Sequence, residues 1–369
     1  MNVNHVSENT KDQQNAIIPQ GITEEELEAL LEEVHSAQSS GDFEKARKLL
    51  EEKIRQRGWK KAKLWWELVA LMKSPEDYSQ IRNLWFDTPR SCRKRLSILR
   101  AVARAACVAG EHEEGRDILR MAIIFAAQKK QKGMLSGKRE QLKNLVQWRK
   151  ARQEKEESAF DNRAPQALKD LNYTLDSFGV KAFLISGTLL GFTRDGAFIS
   201  WDKDIDVGVF SEEVPENLET LFRDQENFKV RRIDFNSNRL RVTHKNKVAI
   251  DIFPHYMEKG IRWHDGTATR WWNTPFDLKK ADFLGVDVWI PENPELYLVE
   301  NYGDDWKIPD PYFDARIDAP NTEITDQKYF DSLQYFSLLK SITDEKAHMK
   351  ERYINILKEL GEDKWLDRL

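Results

Sequence analysis

The chain has 369 residues, enough for two cores, and its 40% hydrophobic and 33% charged content is that of a water-soluble globular protein. A net charge of -4 gives no whole-chain basic signal for nucleic acid, and the two cysteines, Cys92 and Cys107, offer neither a disulfide framework nor zinc-ligand spacing. The polar first 20 residues lack the apolar core of a signal peptide, and no stretch approaches the roughly 18 apolar residues of a membrane span. A reducing cytoplasm is the expected compartment, with membrane contact limited to the periphery of its inner face.

Residues 1–21 are rich in Asn and Gln and read as disordered. Thr23 followed by Glu24, Glu25 and Glu26 reads as an N-cap with an acidic first turn, and Leu27, Leu30, Leu31 and Val34 form one apolar helical stripe. The pattern stays helical to about residue 128 and contains a weak repeat. Phe43, Ala46, Leu49 and Leu50 are matched 35 residues on by Tyr78, Ile81, Leu84 and Trp85, and 34 further on by His112, Gly115, Ile118 and Leu119. That period with helix-turn-helix content predicts a tetratricopeptide-like module over 22–128, an ordinary helical bundle being the plainer reading. Such a module suits recruitment of a protein partner. Residues 129–163, with Lys129-Lys130-Gln131-Lys132 and Arg149-Lys150-Ala151-Arg152, read as an exposed charged helical linker that contains the domain boundary.

Pro165 opens a helix carrying Leu168, Leu171 and Leu175 and ending near Gly179. The run Ala182-Phe183-Leu184-Ile185 is a buried strand that leads into a Gly187-Thr188 turn. Further strands are expected over 202–209, 230–233, 240–244 and 248–253, the last two joined as a hairpin by Lys245-Asn246-Lys247. After Pro320 the helical spacing returns at Leu333, Phe336 and Leu339, then at Tyr353, Leu357, Leu360 and Trp365, which predicts a C-terminal helical cap over 321–369. The fold class is α+β behind an all-α module.

The chemistry concentrates in Gly187 to Val207. On a strand, the period of two puts Asp202, Asp204 and Asp206 on one face and Ile205, Val207 and Val209 on the other. Carboxylates that close repel one another, and a bound divalent cation is the simplest way to keep them ionised. Asp251, inside the apolar Val248-Ala249-Ile250-Asp251-Ile252-Phe253-Pro254, needs a positive neighbour. It is expected beside Asp204 and Asp206 as a third ligand; the competing reading is a buried ion pair with Arg241. A calcium loop starting at Asp202 is excluded, because Val207 stands where the turn glycine belongs. The Gly187-Thr188 turn suits a phosphate nest, Arg194 a bidentate phosphate clamp or a surface ion pair, and Trp201 either stacking on a base or core packing. His244, His255 and His264 are acid-base candidates that rank behind satisfied or surface histidines. The aromatic-rich stretch around Trp263, Trp271, Trp272, Trp289, Tyr297, Tyr302 and Trp306 reads mainly as core.

The block from Gly187-Thr188-Leu189-Leu190-Gly191 through Arg194, Gly196 and Trp201-Asp202-Lys203-Asp204-Ile205-Asp206-Val207 resembles the LicD and fukutin-related phosphotransferase family. Ile250-Asp251-Ile252-Phe253-Pro254, Ile290-Pro291-Glu292-Asn293-Pro294 and Tyr302-Gly303-Asp304-Asp305-Trp306 extend the resemblance in the same order, over residues 165–320. It implies a nucleotidyltransferase-like mixed sheet with flanking helices over 164–320. It also implies transfer of a choline-, ribitol- or glycerol-phosphate group from a CDP-linked donor to a hydroxyl of a capsule, lipopolysaccharide or teichoic-acid type glycan, with Mg²⁺ or Mn²⁺ and release of CMP. Asp204, Asp206 and Asp251 become metal and catalytic carboxylates with Asp202 beside them, and Gly187, Thr188 and Arg194 become donor-phosphate contacts. Ser200, where the family often has proline, and Lys203 depart from the pattern without removing a carboxylate. Two other readings remain: a nucleotidyltransferase that moves NMP, and a helical-repeat scaffold that binds nucleotide without turnover.

Overall fold

The computed structural model describes residues 21–135, 160–199, 202–215, 217–222, 224–232, 238–343, 347–367 and 369. The expected N-terminal disorder, most of the charged linker and Trp201 lie outside those residues.

The chain begins as helical hairpins: α1 (Glu24–Ser39) with α2 (Phe43–Lys53), α3 (Ala62–Ala70) with α4 (Asp77–Asp87), and, after the short α5 (Arg90–Arg93), α6 (Leu96–Val108) with α7 (His112–Leu135). The entry to α1 is a capping box: the Thr23 hydroxyl accepts from the Glu26 N–H and the Glu26 carboxylate accepts from the Thr23 N–H. No hairpin buries its apolar face alone. Leu31, Val34, Leu50, Trp65, Leu84, Leu99 and Leu119 share one core, and Leu333, Leu338, Leu339, Tyr353 and Leu357 belong to the same core. The last five lie on α12 (Gln327–Thr343) and α13 (Lys350–Glu359), so the C-terminal helices complete the N-terminal helical layer, with α12 packed on α7.

The second core belongs to the sheet. After α8 (Ala164–Asp176), which starts at Pro165 and stops before left-handed Gly179, the strands are β1 (Phe183–Leu184), β2 (Asp204–Phe210), β3 (Phe228–Arg232), β4 (Leu240–His244), β5 (Ala249–Glu258), β6 (Ile261–Asp265), β7 (Thr269–Asn273), β8 (Leu278–Phe283), β9 (Val286–Pro291) and β10 (Thr322–Ile324). Helix α9 (Ser186–Asp195) follows β1, α10 (Pro294–Tyr302) follows β9, and α11 (Ala315–Asp318) precedes β10. The ten strands form one mixed sheet in the order β10-β7-β6-β5-β2-β1-β9-β8, with the β3-β4 hairpin added at β5. This is the expected α+β architecture. β2 and β5 run parallel at its centre, paired from Asp204 with Ala249 to Phe210 with His255. Ile205, Val207 and Val209 are fully buried and Asp204 and Asp206 are not, which is the alternation read from the sequence. Continuous strand through Val207 also disposes of the calcium loop.

Candidate active site

Two backbone decisions build the site. The first is the parallel register of β2 and β5, which pairs Asp206 directly with Asp251 and so puts both carboxylates on one face at the amino-terminal ends of the two strands. The second is the abrupt start of α9. The Gly187-Thr188 pair is not a turn; both residues lie in the first helical turn, and the sharp bend falls one residue earlier, at Ser186, which holds a left-handed φ of 48°. A non-glycine residue in that region is strained, and here the surroundings hold it: the Ile185 N–H donates to the Asp206 carbonyl at 3.2 Å on one side and the helix begins on the other.

Thr188 consequently points inward. Its hydroxyl is buried and accepts from the Asp206 N–H at 2.9 Å, so Thr188 and Ile185 together grip both backbone groups of Asp206. Thr188 is therefore not among the groups that face the crevice, in contrast to the nest expected of it; Ser186 and Gly187 are. Gly187 is needed for space, since a Cβ there would stand 2.3 Å from Asp202 Oδ2.

The crevice has a volume of about 570 Å³. One wall is Ser186, Gly187, Leu190, Arg194, Asp202 and Asp206; the other comes from Tyr302 at the end of α10 and the segment after it, with Asp305, Trp306, Ile308, Asp310 and Phe313. Arg194 lies in the last turn of α9, is paired with Asp195 at 2.8 Å and lines the crevice. Burial pushes the Asp206 carboxyl well above the usual carboxylate range, Asp204, Asp202 and Asp251 push it further, and Arg239 opposes them. Burial likewise raises the Tyr302 hydroxyl, with Asp206 and Asp202 adding to the shift and Arg194 opposing it, which locates that phenol among all three groups.

The positive neighbour that Asp251 requires is Arg241. The two residues are paired in register between antiparallel β4 and β5. Arg241 Nη2 donates to Asp251 Oδ2 at 2.7 Å and to Asp204 Oδ2 at 2.8 Å, and Nε reaches Asp251 Oδ1. Asp251 thus stands beside Asp206 and makes the ion pair with Arg241 that was its competing reading. With the guanidinium between two of them, the carboxylates are spread, and among the described residues no three acidic, histidine or cysteine side chains converge closely enough to hold a metal ion. The donor set is nevertheless the hard, all-oxygen kind that Mg²⁺, Mn²⁺ and Ca²⁺ prefer, around an Asp206 whose raised pKa marks a shortage of positive charge.

The histidines are core residues. His255 and His264 stack at 4.4 Å between ring centroids and are buried, and His244 pairs with Asp170 at 2.9 Å. Sequence reasoning did not pick out Ser186 or Tyr302 as site residues. The Tyr302-Gly303-Asp304-Asp305-Trp306 run was the available signal for the second; the strain at Ser186 has none.

A central parallel strand pair thus carries in-register carboxylates at its mouth, faced by the amino-terminus of α9. Residues 179–293 match the LicD/FKTN/FKRP nucleotidyltransferase domain. The chain is similar to the ribitol-5-phosphate transferase FKTN of Mus musculus, 31% identical over 173 residues that make up 44% of this chain and 37% of the relative. For the human FKTN the identity is 29% over 45% of this chain and 38% of the relative, and for the human ribitol 5-phosphate transferase FKRP it is 30% over 35% and 29%. The chain spans less than two-fifths of the length of these curated relatives. Among the described residues no helix is long and apolar enough to cross a membrane.

Proposed function

We propose that this chain is a phosphotransferase that moves a phosphoalcohol of the ribitol-phosphate type from a CDP-linked donor to a hydroxyl of a glycan, releasing CMP. The observation that carries this reading is the crevice in which Asp202 and Asp206 stand beside the amino-terminal turn of α9 and Arg194, inside the family-matched domain. The ribitol-5-phosphate transferase activity of the relatives supplies the alcohol.

Phosphoryl-type transfer asks a protein mainly to position reactants and neutralise charge. The exposed amides at the start of α9 and its dipole favour a donor phosphate, with Ser186 and Gly187 giving close backbone approach and Arg194 adding a cation. Asp204, Asp206 and Asp251, with Asp202 at their edge, would hold Mg²⁺ or Mn²⁺, which would neutralise the diphosphate and its developing charge. The opposite wall suits a sugar acceptor: Ile308 and Phe313 offer apolar surface, and Asp305 and Asp310 offer carboxylates to hydroxyl groups. Within that frame Asp206, pinned by Thr188 and Ile185, is the group best placed to take the proton of the acceptor hydroxyl.

Incubation with CDP-ribitol, CDP-glycerol and CDP-choline, with and without Mg²⁺, tests the reading by following CMP. Metal-dependent CMP release from at least one donor is expected, falling about 100-fold or more in a folded Asp204→Asn variant. Release that ignores metal, or an Asp204→Asn enzyme of near wild-type rate, would overturn the site assignment. Release of the alcohol phosphate instead, with CMP moved to the acceptor, would favour the nucleotidyltransferase alternative.

A further inference from the structure

Arg241 occupies the place in the carboxylate cluster that a shared cation would need. Its guanidinium bridges two strands, donating to Asp251 on β5 and to Asp204 on β2 through the same Nη2. The two ends of the interaction differ in freedom. Asp251 is 3% exposed and fixed within a central strand, whereas Arg241 is 36% exposed at the end of a long flexible stem. Arg239, two residues earlier and just before β4, keeps a second positive charge 3.5 Å from Asp251 Oδ2. Asp251 would therefore not be left without a positive neighbour if Arg241 turned away.

From this geometry we propose that Arg241 is a displaceable counter-cation. It holds Asp204 and Asp251 in place while no metal is bound, and it swings towards solvent when a divalent cation enters. The inference rests on the metal-dependent reading above. Two positive centres a few ångströms apart among the same carboxylate oxygens repel strongly, so the bound metal and the bridging guanidinium exclude each other. Displacement needs no backbone movement, because the side chain already has a solvent-facing path. It also converts a structural ion pair into a free guanidinium beside the metal, where a donor diphosphate would present oxygens for a bidentate contact. Arg241 acts through the carboxylates and is a positioning residue.

The competition has a signature that a purely structural arginine would lack. Removing a structural ion pair lowers stability and leaves metal affinity unchanged or weaker; removing a competitor lowers metal-free stability and strengthens metal binding. Mn²⁺ binding to the full chain, measured by electron paramagnetic resonance and calorimetry with no nucleotide present, separates the two. Arg241→Gln is expected to bind Mn²⁺ about tenfold more tightly than wild type, since it removes a directly competing charge. Its metal-free melting temperature is expected to fall, and saturating Mn²⁺ to raise it by more than in wild type. Lys279→Gln, at an exposed position on edge strand β8, makes the same change in net charge and is expected to leave Mn²⁺ affinity at the wild-type value. Should Arg241→Gln fail to fold, Arg241→Lys keeps the charge and loses the fork, and an affinity between wild type and tenfold tighter is expected. Wild-type binding with no tightening in either variant would overturn the role of Arg241 alone. A wild-type chain that binds no Mn²⁺ would overturn the metal reading beneath it as well.

Discussion

Asp206 is the most tightly constrained carboxylate of the crevice. Its side chain stands in register with Asp251, its N–H is received by the Thr188 hydroxyl, and its carbonyl receives the Ile185 N–H. Thr188 thus works one step behind the chemistry, fixing the backbone from which the carboxylate projects. Replacing it by valine keeps shape and burial but leaves the Asp206 N–H without its acceptor. An unsatisfied buried donor costs about 1–3 kcal/mol. Thr188→Val is therefore expected to lower the melting temperature by several degrees and, because the carboxylate is no longer held, to reduce kcat with little change in donor KM. Steady-state kinetics alongside thermal denaturation check this; a variant as stable and as fast as wild type would show that Thr188 only fills space.

At the scale of elements, the helical layer is held by more than apolar burial. The second helices of the three hairpins carry arginine at matching places, Arg47, Arg82 and Arg116, each four residues after Phe43, Tyr78 and His112. Arg47 pairs with Asp77 and Arg82 with Glu114 at 2.6 Å, each bridging to the next hairpin, and Arg116 lies 4.0 Å from Asp331 on α12. The C-terminal helix pair accordingly receives the contact that a fourth hairpin would receive. This pattern was legible in the repeat, whose matched apolar positions share its spacing, but its continuation after residue 326 was not. Nothing local in 327–359 announces a partner more than 180 residues back along the chain. Gly115 belongs to the same repeat and is there for proximity: a Cβ would stand 2.5 Å from Cys107 Sγ and 3.3 Å from the Ala103 carbonyl, where α6 and α7 cross. Overpacking at such a crossing costs about 1–3 kcal/mol. Gly115→Ala is expected to lower the unfolding midpoint of the helical layer in urea while leaving the unfolding of the sheet core unchanged. A midpoint equal to wild type would mean that α7 moves aside without cost.

Across the sheet, what the sequence disclosed and what it hid divide along one line. Period-two alternation placed Asp204 and Asp206 on one face, and an apolar strand flagged Asp251, because each is a local pattern with a physical cause. The register that makes Asp206 face Asp251, the guanidinium that bridges Asp204 to Asp251, and the inward turn of Thr188 all depend on contacts between segments distant in the chain. Periodicity carries no information about those.

The buried histidine stack is a whole-molecule consequence of the same sheet, since β5 runs on beyond its pairing with β4 and its second half pairs with β6, bringing His255 opposite His264. Burial lowers the His255 pKa from 6.5 to about 3, and burial with the neighbouring His255 lowers His264 well below its ordinary value. The folded chain therefore refuses two protons that the unfolded chain accepts once the pH falls below about 6.5. The sign follows: this contribution to stability is fully present above pH 6.5 and is lost as the pH drops towards about 3. Each refused proton contributes a slope of about 1.4 kcal/mol per pH unit, so two contribute nearly twice that over the upper part of the acid limb. His264 Nδ1 is buried without a hydrogen-bond partner, and the ring stacks on Trp271 at 5.3 Å, so phenylalanine can take its place at little cost. His264→Phe is expected to be as stable as wild type or more so at neutral pH and to halve the slope of unfolding free energy against pH between about 5 and 6.5. Urea denaturation across that window measures the slope directly. An unchanged slope would mean that the stack takes up protons without unfolding, and that acid sensitivity arises elsewhere in the fold.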